Sequence, residues 1–159
     1  MPGSNNVVNV VVAGLGGQGV LKASGILADA AFRAGLDVKK SEIHGMSQRG
    51  GSVSSDVRFG ARVFSPMVPA GEADYLVVLA ASQIEVARPV LKADGILIHP
   101  GLVDETRLAN KRSLNVALLG ALARHLDLAD NVWHAAIKAA LPEKLHAANL
   151  QAFAIGKNP

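Results

Sequence analysis

The chain of 159 residues contains no cysteine. That absence removes disulfides, thiolate zinc sites, cysteine nucleophiles and cysteine-ligated iron–sulfur clusters from anything it does by itself. Aromatic residues are scarce, at 4% of the sequence, although half of all residues are hydrophobic. Core building therefore falls to Val, Leu, Ile and Ala, a bias common in sheets covered by helices. Long apolar runs are missing as well. The longest, VVNVVVA at 7–13 and YLVVLAA at 75–81, are far shorter than a membrane span needs. No basic-then-apolar segment with a cleavage site opens the sequence, so the expectation is a cytoplasmic protein without a membrane anchor. Charge of one sign is not massed either. The formal net charge is +3, the basic residues are scattered, and no aromatic-plus-basic pattern accompanies them, so no nucleic-acid partner is expected.

What is present is a rich apolar content that argues against disorder and a length that suits one domain spanning residues 1–159. The β-branched run at 7–13 reads as a strand buried on both faces and leads directly into Gly14. From Val20 apolar residues recur at three- and four-residue steps, predicting a helix that Gly35 ends from the C′ position. Residues 36–40 are expected as a short second strand and 42–51 as a loop. The alternation at 52–59, followed by Gly60-Ala61 and a short strand at 62–65, predicts a hairpin. Further strands are expected at 75–80 and 95–99. Between them lies a helix over 82–91, capped by Ser82 with Glu85 in capping-box position. Helices at 115–125, 131–141 and 143–154 complete the chain, the second capped by Asp130 or Asn131. The order predicts an α/β fold, Rossmann-like, with a mostly parallel sheet, helices on both faces and an appended β-hairpin.

The sequence Gly14-Leu15-Gly16-Gly17-Gln18-Gly19 fits G-x-G-x-x-G between a strand and a helix. Glycines let the backbone turn tightly and approach a ligand, and the helix that follows presents unpaired N–H groups and a positive dipole end. Three readings stay open: a phosphate or pyrophosphate site, a dinucleotide site, or glycines that serve strand–helix packing alone. The dinucleotide reading requires an acidic residue about 20 positions on, at the end of strand two. Asp37 precedes that end and is followed by Lys39 and Lys40, and Glu42 opens the next loop, so the fingerprint is half met.

A second constellation follows at 44–53, HGMSQRGGSV. It combines an imidazole, a guanidinium, an amide and hydroxyls with backbone made approachable by Gly45, Gly50 and Gly51. Arg49 suits bidentate binding of a carboxylate or phosphate, with Gln48 and Ser47 beside it. His44 is a proton shuttle, a hydrogen-bonded structural residue or a loop-tip residue, and Arg49 a ligand contact or an anchor of its own loop. Asn115 and Asn149 suit capping or backbone hydrogen bonds, Asp74 a turn, and Trp133 core or interface. The remaining histidines have no acidic neighbours at metal-ligand spacing, so no metal site is expected. The G-x-S-x-G elbow of a serine hydrolase is absent.

GLGGQGV at 14–20, EIHGMSQRGGSV at 42–53, SPMVPAGEAD at 65–74, SLNVALLGAL at 113–122 and NLQAFAIGK at 149–157 cover most of the chain. Their order resembles that in beta subunits of indolepyruvate ferredoxin oxidoreductases. It is similar to the gamma subunits or gamma domains of pyruvate and other 2-oxoacid:ferredoxin oxidoreductases. The resemblance implies oxidative decarboxylation of a 2-oxoacid, of the indolepyruvate type, to an acyl-CoA. Thiamine diphosphate and iron–sulfur clusters would be held by partner subunits, with ferredoxin or another acceptor reached through them. The absence of cysteine agrees with that division. For this subunit the resemblance implies CoA access and subunit packing. The binding residues expected are Gly14, Gly16, Gly17, Gln18 and Gly19, together with Ser47, Gln48, Arg49 and Gly50, with no catalytic residue. One departure is visible: the family usually has a longer connection where this sequence runs through 100–114. The competing readings are a free-standing NAD-dependent dehydrogenase domain and a non-catalytic docking module.

Overall fold

In the computed structural model, which describes residues 6–44 and 51–159, the opening β-branched run forms β1 (Val7–Leu15). Val10, Val11, Val12 and Ala13 are all buried. β1 is the middle strand of a five-stranded sheet ordered β2 (Asp37–His44), β3 (Ser52–Gly60), β1, β4 (Ala73–Val78), β5 (Leu91–Ile98). Cover on both faces explains why β1 reads as a continuous apolar run and not as an alternation. β1, β4 and β5 pair in parallel, while β3 runs antiparallel to both β1 and β2. The fold is therefore a mixed α/β sheet in which only β3 opposes the common strand direction.

The appended hairpin exists, but its arms differ from those expected. β3 pairs with β2 over eight positions, from Asp37 opposite Gly60 to His44 opposite Val53. Residues 61–65 leave the sheet. The longer ladder wins because it also puts Val38 beside Phe59 on the helix-covered face. The segment after β3 is tied down by side chains instead. Asp37 Oδ2 accepts the Val63 N–H at 2.8 Å, Arg58 Nη1 donates to the Ser65 carbonyl at 2.7 Å, and Asp56 Oδ2 accepts the Val68 N–H at 2.9 Å. Part of the loop expected at 42–51 is likewise strand, since Glu42 and Ile43 lie within β2.

Four helices cover one face: α1 (Val20–Arg33), α3 (Leu114–Ala123), α4 (Asp130–Ala140) and α5 (His146–Lys157). They enclose Val10, Val12, Val57, Phe59, Val77 and Ile98. On the other face Val11, Ala13, Leu76 and Val78 pack with Ala73, Val68, Leu91, Leu97 and the region of α2 (Ile84–Ala87). The helix expected over 82–91 is thus four α-helical residues between two 3-10 turns, because β5 already begins at Leu91. Ser82 makes no capping hydrogen bond, and Glu85 pairs forward with Arg88 at 3.1 Å.

α1 ends as anticipated. Gly35 has φ +89°, its N–H reaches the Phe32 carbonyl at 3.0 Å, and the Leu36 N–H reaches Ala31 at 3.2 Å. The cap of α4 is Ala129, neither Asp130 nor Asn131. Asp130 occupies the first turn, where a carboxylate suits the helix dipole, and it pairs with Lys157 of α5. Trp133 is fully buried, its ring 5.3 Å from that of Phe153. α3 and α5 meet at backbone distance: a Cβ on Gly156 would collide with the Ala117 carbonyl, and one on Gly120 with that of Phe153. Residues 100–113 form three short 3-10 turns, each opened by a side chain accepting a backbone N–H, from His99, Asp104 and Asn110.

Candidate anion-binding site at the glycine loop

The glycine loop lies at the carboxyl end of β1. There the chain's connections diverge, to β2 and β3 on one side and to β4 on the other. Crevices at such switch points are the usual ligand sites of open α/β sheets. Gly14 pairs with Val53, and Val53 with His44. The Gly16 N–H donates to the Gly51 carbonyl at 2.8 Å. The two motifs that are 30 residues apart in the sequence therefore leave the sheet from the same edge. Ser47, Gln48, Arg49 and Gly50 themselves lie outside the described residues.

Within the loop each residue has its own task. Gly14 has no room for a side chain, since a Cβ would come within 2.9 Å of Gln18 Oε1 and 3.1 Å of Leu79 Cβ. Gln18 turns its amide inward, its Oε1 accepting the Leu15 N–H at 2.7 Å while its own N–H reaches the Leu15 carbonyl at 3.2 Å. Gln18 thus braces the turn. Gly17 and Gly19 adopt φ of +89° and +83°, the left-handed region that costs other residues dearly. Gly19 is the N-cap of α1; it supplies no capping side chain, and no acidic residue lies in the first turn. The first-turn N–H groups of α1 are left without a side-chain acceptor of that kind.

At this helix end lies a cleft of about 590 Å3 lined by Gly17, Gln18, Gly19, Lys22, Leu79, Lys111, Arg112, Leu114 and Asn115. Its far wall is the 3-10 turn Lys111–Ser113 and the start of α3. Three cationic residues line it and no carboxylate does. Lys22 Nζ reaches the Ala140 carbonyl at 3.1 Å. Asn115, buried to 8% exposure, joins the two walls: its Nδ2 donates to the Gly19 carbonyl at 3.2 Å and its Oδ1 accepts the Val116 N–H at 2.9 Å. An enclosure of helix-terminal amides and cations favours an anionic guest.

Sequence reasoning did not find Lys22, Lys111 or Arg112, because scattered basic residues carry no periodic signal. The Lys-Arg pair separated from Asn115 by two residues is the available clue. Asn115, expected as a cap or backbone hydrogen-bonder, is the latter, across elements. Asn149 is also a backbone hydrogen-bonder, donating to the Leu145 carbonyl at 2.9 Å. Asp74 is more than a turn residue: it accepts the Asn9 N–H at 2.8 Å and pairs with Lys92 at 2.8 Å, joining β1, β4 and β5. Asp37, the required acid of the dinucleotide reading, sits at the opposite end of the sheet, level with Gly60 and Val7. Glu42 forms an ion pair with Lys40 at 2.6 Å. Neither acid lines the cleft. Among the described residues no group of His, Asp and Glu is placed to hold a metal ion, and no helix is long and apolar enough to cross a membrane.

Residues 9–104 match the family model described as pyruvate ferredoxin/flavodoxin oxidoreductase. The chain is 34% identical over 190 aligned residues to the indolepyruvate oxidoreductase subunit IorB of Thermococcus kodakarensis, covering 93% of each protein. It is 30% identical to the pyruvate/ketoisovalerate oxidoreductases common subunit gamma of Pyrococcus abyssi, covering 77% of this chain and 80% of that one. The aligned length exceeds the chain's 159 residues, so the IorB relative carries segments that this chain lacks. The fold matches the gamma subunit of a keto/oxoacid ferredoxin oxidoreductase from Geobacter sulfurreducens with a TM-score of 0.80 at 21% identity, over 96% of this chain and 95% of that one. A 2-oxoglutarate:ferredoxin oxidoreductase from Magnetococcus marinus, solved with coenzyme A and succinyl-CoA bound, contains the same fold in 31% of its chain, with a TM-score of 0.78 at 21% identity over 96% of this one. Sequence and fold together establish that the chain belongs to the pyruvate ferredoxin/flavodoxin oxidoreductase family, beside subunits of enzymes that oxidise 2-oxoacids.

Proposed function

We propose that this chain is the cluster-free subunit of a cytoplasmic 2-oxoacid:ferredoxin oxidoreductase, folded as one domain, and that its cleft takes the phosphate-bearing end of coenzyme A. The observation that carries the reading is the pairing of α1's uncapped N-terminus with Lys22, Lys111 and Arg112 around one cleft. A diphosphate spread over several amides and cations neutralises its charge there without a metal ion. Gly17 and Gly19 bring backbone close to the phosphates, while Gly14, Gly16 and Gln18 shape the turn. Ser47, Gln48, Arg49 and Gly50 belong to the segment that springs from the same sheet edge and complete the expected binding set. No residue of this chain makes or breaks a substrate bond in this reading; the chain binds and orients the acyl acceptor.

The other chemistry lies with partner subunits. Thiamine diphosphate, held by a partner, would supply the electron sink for decarboxylation. Iron–sulfur clusters held by a partner would carry the electrons toward ferredoxin. This chain offers no thiolate to ligate such a cluster. The 2-oxoacid is an aromatic one of the indolepyruvate type, a reading supported by the IorB relatives.

The test is steady-state kinetics of the complex assembled with its partner subunits, comparing wild type with Lys111→Ala/Arg112→Ala. Loss of two charge-assisted contacts, each worth about 1.5–3 kcal/mol, is expected to raise the KM for CoA by at least about a hundredfold while the KM for the 2-oxoacid holds. An unchanged KM for CoA would remove the cleft from the reaction.

A further inference from the structure

Asn115 is the only polar side chain that directly bridges the two walls of the cleft among the hydrogen bonds of the described residues. It is 96 residues from Gly19 in sequence and nearly buried. Its two ends are both committed, Nδ2 to the Gly19 carbonyl and Oδ1 to the Val116 N–H. The contact is also tight: a Cβ added at Gly19 would lie 2.5 Å from Asn115 Nδ2. Gly19 holds φ +83°, in a residue whose backbone is freer than any other to leave that conformation. That carbonyl already accepts the Ala23 N–H, the first intrahelical bond of α1, at 2.9 Å. The second bond, from Asn115, fixes the peptide plane from outside the helix. A rotated Gly19 peptide would swing the Val20 N–H, which shares its plane, out of its present direction.

The geometry points to Asn115 as a positioning residue: it holds the glycine loop in register with the Lys111–Arg112 turn, so that both walls meet one phosphate-bearing ligand. This rests on the reading of the cleft as the CoA phosphate site and adds the residue that sets its shape. Asn115 need not touch the ligand. Its effect passes through the Gly19 peptide on one side and through α3 on the other.

The measurement is made on the complex with its partner subunits, using wild type, Asn115→Ala, Asn115→Asp and Lys111→Ala/Arg112→Ala, each checked for assembly and melting temperature. Asn115→Ala removes both hydrogen bonds and is expected to raise the KM for CoA about tenfold, the equivalent of about 1.4 kcal/mol. The KM for the 2-oxoacid and kcat at saturating CoA are expected to stay within about twofold. Asn115→Asp keeps the shape but sets a carboxylate against the Gly19 carbonyl and beside an anionic ligand, and is expected to raise the KM for CoA further. It carries the test where Asn115→Ala does not assemble. Were Asn115→Ala to lower melting temperature and kcat with both KM values alike, its role would be structural and the inference would fall. Were the Asn115 variants to keep the wild-type KM for CoA while the Lys111/Arg112 variant raised it, the positioning role alone would fall. An unchanged KM in all three would overturn the cleft itself and the inference with it.

Discussion

Two groups of glycines sit more than 100 residues apart in sequence and serve opposite ends. In the loop after β1, Gly17 has open space around its missing side chain and is required by its backbone angle alone. At the crossing of α3 and α5, Gly120 and Gly156 have ordinary helical backbone, and it is space that they lack. The first group pays in conformational freedom for a backbone that can face a ligand; the second lets two helices approach until main chain touches main chain. A glycine in a sequence does not announce which of these it is. The loop glycines were legible because a strand and a helix flank them, whereas those of the crossing lie within apolar helical runs and look like mere interruptions.

The contrast can be broken by filling each site. Gly156→Val drives methyl groups into the Ala117 carbonyl and is expected to cost about 3 kcal/mol or more of stability, read from urea unfolding. Gly156 itself lines no part of the cleft, so where α5 yields and α3 stays in place the folded fraction should keep its affinity for CoA; a stability equal to wild type would show that the helices can part freely. Gly17→Ala should be the milder lesion to stability, at about 1–2 kcal/mol for the left-handed backbone. Yet it should weaken CoA binding measured by calorimetry on the assembled complex, which Gly156→Val does not. Equal affinity in the two variants would erase the functional half of the contrast.

The smallest expected effect serves as a control at neither glycine site. Burial pushes the Asp56 carboxyl above its ordinary 3.8, against the opposing pull of the Val68 N–H and of Arg58. The folded chain therefore binds this proton more readily than the unfolded one. Its contribution to stability is fully present below the unfolded value and is lost as pH rises through the folded one. Asp56→Asn keeps an acceptor for Val68 without the charge. It is expected to flatten that decline in the acidic range just above 3.8 and to leave the variant at least as stable as wild type at neutral pH. A steeper decline would show that the ionised carboxylate is the stabilising form. The costs at Gly17 and Gly156 should not vary over the same range.

Local pattern made β1, α1 and β4 legible, along with the turn at Gly35, because each has a period or a stop signal confined to a few neighbours. The partner of β3 was not legible in that way. Residues 62–65 are nearer in sequence, but β2 offers twice the ladder and an apolar position at Val38, and that choice is made by the assembled sheet. The helix expected at 82–91 failed for a similar reason: the shallow second face needs only a short cover before β5 starts. At the site, the loop could be read from its glycines, but the opposite wall could not. Lys111 and Arg112 become relevant only once α3 has been brought against α1.

α3 has nine of its ten residues buried, from Asn115 to Ala123, and is locked to α5 at Gly120 and Gly156. It therefore has no direction in which to yield. Its amides should exchange with solvent deuterium only through global opening, while those at residues 16–19 exchange through local excursions. Accommodation of a ligand then falls on one side alone. Any adjustment to a guest is then expected on the loop side of the cleft, against a wall that stays in place.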